Sequence, residues 1–387
     1  MSNARGSKLP EVGTTIFTVM SQRARELGAL NLGQGFPDYE IDPRLAELVA
    51  SAMRSGHNQY APMEGTELLR QRIAQKLEQS YGLRTDPLGT ITVTLGATEA
   101  LFSAIAAFVG SGEEAILFDP AYDSYAPAVK LAGGRALRIP LSAPHFRYDW
   151  DRVRDALTPR TRLIVINTPH NPSCTAASAE DIEALAALTR DRPIVIIGDE
   201  VYEHVLFDGR RHLSLCAHPE LAERSISIFS FGKMLHATGL RVGYCIAPAA
   251  LTREVRKVHQ FNTFSIAHPL QHAIGEYLGE KPQAWRELSA FFQAKRDRLC
   301  TGLSGSPFVL RPAEGTYFQL LDYAALSHEP DTHFAERLLN AAGVATIPLS
   351  PFYEHGSPST LLRLCIAKRD ATLDAACERL RHFAHEA

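Results

Sequence analysis

The sequence predicts an α/β protein: a mostly parallel sheet covered by helices on both faces, followed by a smaller α+β domain. Two observations carry this. Short β-branched runs alternate with Ala-rich segments of 3.6-residue period through the middle of the chain. The strand runs are almost wholly apolar rather than alternating, as expected of parallel strands buried on both faces. At 387 residues, the chain also exceeds what one hydrophobic core usually serves.

Taken in order, strands are expected at Ile91–Thr94, Ala115–Asp119, Ala136–Ile139, Leu163–Asn167, Ile194–Asp199, Ser225–Ser230 and Val242–Ala247. Helices are expected between them, among them Thr98–Phe108, Ala179–Thr189 and Leu251–Gln260. Beyond about residue 285 a long charged helix, Trp285–Gly302, leads into mixed short elements at Gly315–Asp322, Phe334–Ala342 and Leu361–Ala367. The expected division is a large domain over 43–284 and a small C-terminal domain over 285–387. Residues 1–42 have too few apolar residues for a core of their own and are expected to pack on the small domain.

Composition narrows the function classes. Hydrophobic residues make up 45% and charged residues 21%, with a formal net charge of −3. No basic run is present, which argues against nucleic acid or an anionic membrane as partner. No apolar run is long enough to span a bilayer, and the N-terminal residues lack the apolar stretch of a signal peptide. The six cysteines are scattered without a CxxC pair. They read as reduced thiols of a cytoplasmic protein.

The chemistry-bearing residues cluster at the expected strand ends, where open α/β sheets bind ligands. After Thr94 the chain turns at Gly96, and Ala97 and Thr98 head a helix whose free N–H groups suit an anion. The plainer alternative is N-capping by Thr98. After Asn167 comes Thr168-Pro169-His170-Asn171-Pro172, a loop stiffened by proline that holds Asn171 in place, either for a ligand oxygen or as an ordinary turn. Asp199 ends an apolar strand, so its charge needs a cationic partner such as a protonated ring nitrogen, unless it caps a helix. Tyr202 would present a phenol to the same place. Lys233 follows the strand Ser225–Ser230, with Ser230 and Arg241 suited to a phosphate. A lysine in such a partly desolvated, cation-lined pocket has a lowered pKa and can form a Schiff base. An anion site, a carboxylate, a phenol, an amide and an amine together form the set a pyridoxal phosphate enzyme needs.

With these motifs in family order (TLGATEA, NTPHNP, DEVY and SFGK followed by Arg241) the chain resembles the class I/II aminotransferases of pyridoxal phosphate (PLP) fold type I, the aspartate-aminotransferase-like fold. The segments NLGQGFPD, QYAPMEGTELLR, FDPAYDSYAPAV, EGTYF and LLRLCIAK are most similar to the branch of methionine and kynurenine/glutamine aminotransferases. The resemblance implies that Lys233 carries the Schiff base, Asp199 pairs with the pyridinium nitrogen, and Asn171 and Tyr202 contact the ring hydroxyl. It implies that Tyr122 stacks on the ring. Gly96, Ala97, Thr98, Ser230 and Arg241 would hold the phosphate, with Tyr60 reaching in from the neighbouring subunit of a homodimer. Arg363 would grip the substrate carboxylate, aided by Asn171 and the Gly35 backbone; the plainer alternative for Arg363 is a surface arginine after a strand. The chain departs from its relatives in two places. Asn171 is followed by Pro172-Ser173-Cys174-Thr175 rather than by PTG or PxG. Gly239-Leu240-Arg241 stands where many relatives have Gly-Trp-Lys.

The expected activity is ping-pong transfer of an amino group from methionine and other bulky apolar or aromatic L-amino acids to a 2-oxo acid. The alternative is a kynurenine/glutamine aminotransferase with carbon–sulfur β-lyase activity on cysteine conjugates. A non-catalytic PLP-binding regulator is disfavoured by the intact lysine, aspartate and arginine set. No metal site is expected: His268 and His272 are spaced i,i+4, but no third ligand accompanies them. Gly33-Gln34-Gly35 lacks the third glycine of a dinucleotide fingerprint.

Overall fold

The computed structural model describes residues 6–356 and 359–386. A helix at Ile16–Glu26 precedes the two-residue strand β1, Leu30–Asn31. Seven strands then follow: β2 Ile91–Thr94, β3 Glu114–Asp119, β4 Arg135–Pro140, β5 Thr161–Asn167, β6 Val195–Asp199, β7 Ser225–Ser230 and β8 Gly243–Ile246. They form one sheet in the order β2-β8-β7-β6-β5-β3-β4. All neighbours are parallel except β8, which runs antiparallel to β2 and β7. Strands β2, β3 and β8 are buried along their whole length. Helices cover both faces, as the unbroken apolar strands require.

Towards the C-terminus lie β9 Phe318–Asp322, β10 Val344–Ala345, β11 Ile347–Pro348 and β12 Leu361–Cys365. Strands β11, β12 and β9 form a three-stranded antiparallel sheet. Strand β1 pairs in parallel with β10. The N–H of Leu32 donates to Ala345 O (3.0 Å), and the N–H of Cys365 donates to Leu32 O (2.7 Å). The N-terminal segment is thereby stitched to the C-terminal strands.

Strand register fixes the relative height of the polar residues. Asn167 lies directly beside Asp199, Asp199 beside Ile228, and Ser230 beside Gly243, which also faces Thr94. Residues far apart in sequence therefore share one edge of the sheet.

Several element bounds differ from expectation by one to three residues, as where the helix expected from Phe334 starts at Asp331 and the strand expected to reach Ala367 ends at Cys365; three differences bear on the argument. The helix expected from Thr98 starts two residues earlier, at Gly96, with Leu95 as N-cap and no side-chain capping bond, so Thr98 is not the cap. The strand expected from Gly315 begins only at Phe318. Thr316 has φ +68°, left-handed geometry that interrupts an extended run. The long charged helix starts at Leu288 rather than Trp285.

Candidate active site

Asp199 is the last residue of β6 and lies in a fully covered position. The Asn167 side chain organises its surroundings: Nδ2 donates to the Asp199 carbonyl (2.8 Å), and Oδ1 accepts the Asn171 N–H (2.7 Å). One Asp199 carboxylate oxygen, Oδ2, accepts the Tyr125 hydroxyl. The other, Oδ1, is buried without a partner. Burial pushes the carboxyl pKa up to about 6, against the opposing pull of the Tyr125 hydrogen bond, of the nearby Val201 N–H, which makes no hydrogen bond to Oδ1, and of Lys233. Buried polar atoms are nearly always paired, so an orphaned carboxylate oxygen marks the place of a missing donor. No helix follows for Asp199 to cap: residues 201–204 form a turn.

Lys233 lies just past β7, in the single helical turn Phe231–Met234. Its Nζ donates to the Tyr317 hydroxyl at 2.6 Å and stands 5.7 Å from the Tyr202 ring centre and 5.1 Å from that of Tyr317. The two rings meet edge-on, 5.0 Å apart. The amine pKa is lowered to about 8, chiefly by burial, with Arg241 and Arg363 acting in the same direction and Cys365 and Asp199 opposing. Such an amine is neutral often enough near neutral pH to attack a carbonyl, as Schiff-base lysines must.

The helix Gly96–Phe108 brings an uncapped N-terminus to the same edge. Gly96 has φ +68°, and a Cβ there would stand 2.7 Å from Nη2 of Arg241, so only glycine lets the guanidinium lie against the helix head. Arg241 itself adopts φ +53°. A Cβ on Gly243 would stand 2.9 Å from the Ala97 nitrogen. Free N–H groups, a helix dipole and a guanidinium converge here, with Ser230 at the neighbouring strand end, in the arrangement that binds phosphate. Tyr122 lies half-buried beside Thr98, edge-on to Tyr125 at 5.6 Å.

Arg363 occupies the middle strand β12 and is 1% exposed, which sets aside the surface alternative. Its Nη1 donates to Asn171 Oδ1 (2.5 Å) and its Nη2 to Gly33 O (3.2 Å), while Nε has no partner. The guanidinium lies over Phe318 (3.8 Å to the ring centre), with Phe17 at 4.9 Å and Phe352 at 5.7 Å. A buried cation with an unused donor and an apolar floor suits a carboxylate bound in bidentate fashion. Gly35 accepts the Tyr317 hydroxyl on its carbonyl (2.6 Å), and a Cβ there would stand 2.6 Å from the Phe318 ring.

The residues singled out in the sequence thus come together, with one exception within the single chain. Tyr60 is 83% exposed and packs edge-on against Phe264. His268 and His272 stand near His57, which stacks on His272 at 3.7 Å, but among the described residues no group of metal-ligating side chains is arranged to hold a metal. Sequence reasoning placed Asn167 at this edge but missed Tyr317, Tyr125 and Phe318 as parts of the constellation. Tyr317 and Phe318 lie in EGTYF and Tyr125 three residues after Tyr122, but nothing in a linear sequence says which phenol meets which partner.

A buried lysine amine of lowered pKa at the carboxyl edge of this sheet, with a buried arginine nearby, is the kind of arrangement an enzyme acting on amino acids needs. The comparisons with known proteins give the family. The chain belongs to the class I and II aminotransferases, whose family description matches residues 28–380. It is 50% identical to a methionine aminotransferase of Escherichia coli (strain K12), covering 97% of this chain and 98% of the relative. It is 31% identical to kynurenine–oxoglutarate transaminase 1 of Mus musculus over 92% of each chain. A solved methionine aminotransferase structure from Escherichia coli superposes with a TM-score of 0.96 at 49% identity, covering 98% of this chain and 99% of the other. The protein is an aminotransferase of the aspartate-aminotransferase-like α/β fold. Enzymes of this family generally depend on pyridoxal phosphate and act on amino acids and 2-oxo acids.

Proposed function

We propose that this aminotransferase uses pyridoxal phosphate to move the amino group of methionine, and of other bulky apolar or aromatic L-amino acids, to a 2-oxo acid. The observation that carries the cofactor assignment is the orphaned Oδ1 of Asp199 close to the Lys233 amine. A ring nitrogen bearing a proton supplies the donor that this oxygen lacks. Lys233 would bond the cofactor aldehyde, and Asn171 and Tyr202 would serve its ring hydroxyl. Tyr122 would stack on the ring. Gly96, Ala97, Thr98, Ser230 and Arg241 would receive the phosphate. Bound there, the cofactor supplies the sink for electrons left on the substrate Cα.

The chain's own residues do the rest. Arg363 and Asn171, with the Gly35 backbone, orient the α-carboxylate of the amino donor and later of the oxo acid. The Lys233 amine, once free, would take the Cα proton as general base and, as general acid, give it to the aldehyde-derived carbon of the cofactor rather than back to Cα. The same residues serve both half-reactions, which gives ping-pong kinetics.

Two features support the preference for methionine. One is the 50% identity to the methionine aminotransferase of Escherichia coli. The other is the aromatic surface beside Arg363, where Phe17 meets Phe352 edge-on at 5.6 Å. A thioether packs favourably against aromatic rings. The active unit is proposed to be a cytoplasmic homodimer in which Tyr60 completes the partner's phosphate site. That reading is supported by the exposure of Tyr60, Phe261 (86%) and Phe264 (47%).

The test is a half-reaction. Purified protein loaded with the cofactor and given L-methionine without an acceptor should lose its visible absorbance band and release one 2-oxo acid per site. A band that persists while a cysteine conjugate yields pyruvate and ammonia would favour the β-lyase alternative. Lys233→Ala should lower turnover by about 10⁴-fold or more and abolish the band; normal activity in that variant would sink the assignment.

A further inference from the structure

We propose that Tyr317 is a positioning residue that receives the Lys233 amine whenever it is free of the cofactor, keeps its lone pair available, and transmits its release to the loop 33–36. The proposal rests on the role of Lys233 given above.

The geometry is a chain of two hydrogen bonds. Lys233 Nζ donates to the Tyr317 oxygen (2.6 Å), and the Tyr317 hydroxyl donates to the Gly35 carbonyl (2.6 Å). A phenol has a single proton. With that proton given to a carbonyl, which cannot donate, Tyr317 can act towards the lysine only as an acceptor. A neutral amine held in this way spends one N–H on the phenol and keeps its lone pair free. A phenol that donated to the amine would occupy the lone pair that must take the Cα proton. The Gly35 carbonyl therefore determines the direction of the hydrogen bond at Lys233.

The phenol is rigidly mounted. Its ring meets Tyr202 at 5.0 Å, Phe318 at 5.0 Å and Phe292 at 5.7 Å. The preceding residue, Thr316, holds φ +68° with its N–H bonded to Val205 O (2.8 Å). A non-glycine residue in this region is strained and persists only where surrounding contacts enforce it. The loop at the other end of the chain is equally committed. Gly33 O accepts Arg363, Phe36 O accepts Lys368 Nζ (2.8 Å), and the Gly33 and Gln34 N–H groups both reach Asn31 Oδ1. Loop 33–36 thus touches the proposed carboxylate arginine on one side and, through Tyr317, the proposed Schiff-base lysine on the other. While Lys233 is bonded to the cofactor it cannot make the same donation. When it is released, the donation to Tyr317 polarises the phenol and strengthens its bond to Gly35.

The experiment compares two ligand-free states of the wild-type holoenzyme: the resting form, and the aminated form made with L-methionine and freed of oxo acid. Hydrogen exchange at the amides of 33–36 should be slower in the aminated form, where the lysine is free. In Tyr317→Phe, which keeps the ring, that difference should vanish. In the same variant kcat should fall about 10–100-fold, a part of what general acid–base groups supply, with a smaller change in KM. The deuterium isotope effect with α-deuterated methionine should rise. Exchange that is equal in the two wild-type forms would overturn the proposal, and this needs no variant to fold. So would a Tyr317→Phe enzyme with unchanged kcat and isotope effect. If the wild type shows no visible band and no half-reaction, the cofactor reading fails instead.

Discussion

Asp199 and Glu200 are adjacent in sequence, both buried, and belong to two very different polar clusters. Glu200 is fully engaged: Oε2 pairs with His212 (2.7 Å) and Oε1 accepts the Leu215 N–H (3.2 Å). Nearby Glu203 receives Lys76 on Oε1 (2.6 Å) and the Tyr81 hydroxyl on Oε2, and Lys76 also reaches the Tyr244 hydroxyl (3.1 Å). Both carboxylates use both oxygens. Asp199, by contrast, leaves Oδ1 unpaired, and Arg363 leaves Nε unpaired. The Glu200–Glu203 cluster satisfies its carboxylates within the protein and so ties the helix Glu67–Tyr81 and the segment around Leu215 to the turn that carries Tyr202. The Asp199 cluster leaves an acceptor and a donor unused, which is what the proposed cofactor and substrate sites require. Burial alone does not mark a functional site, and neither does one unpaired atom, since His204 Nε2 and Arg70 Nε are also buried without partners. What distinguishes the Asp199 cluster is unmet valence on a carboxylate and an arginine gathered around a buried amine.

The sharpest way to break this comparison is to remove one partner from each cluster. Lys76→Met leaves Glu203 with an uncompensated buried charge and should cost about 3–5 kcal/mol of stability, read from denaturant unfolding. The fraction that remains folded should still load cofactor and turn over.

Asp199→Asn should do the reverse. Turnover should drop about 10²–10³-fold, the scale of a lost electrostatic partner. The unloaded variant should gain stability on the wild type as the pH rises. The carboxyl pKa is raised from its ordinary 3.8 to about 6 in the folded chain. The wild type therefore has its full stability from this group below its ordinary pKa and loses it as the pH climbs through about 6. The stability difference between variant and wild type should widen by about 3 kcal/mol between acid and neutral pH. A flat difference would mean that Asp199 is already compensated within the protein.

Arg363→Lys is the smallest test. Lysine keeps the charge but loses the fork that meets Asn171 and Gly33 together. KM for amino donor and oxo acid should both rise about 10–100-fold, the scale of one or two charge-assisted hydrogen bonds. A rise for only one substrate would argue against a shared carboxylate site.

The sequence by itself carried the layered α/β architecture, because hydrophobic periodicity and strand length report burial directly. It also carried the polar residues at the strand ends: Asn167, Asp199 and Ser230 close β5, β6 and β7 as expected. Local chemistry picked out Lys233, Asp199, Asn171 and Arg241, each unusual for its immediate surroundings. The tertiary structure alone decided which groups meet. Tyr125 rather than any neighbour in sequence takes Asp199, Tyr317 reaches Lys233 across 84 positions, and Arg363 lies against Asn171 and Phe318. It also decided that Thr98 is no cap and that Thr316 takes left-handed geometry. These pairings arise from strand register and from the stitching of β1 to β10, which are contacts between distant segments. Periodicity can say that a side chain faces inward, but the identity of its partner depends on where the rest of the chain has packed.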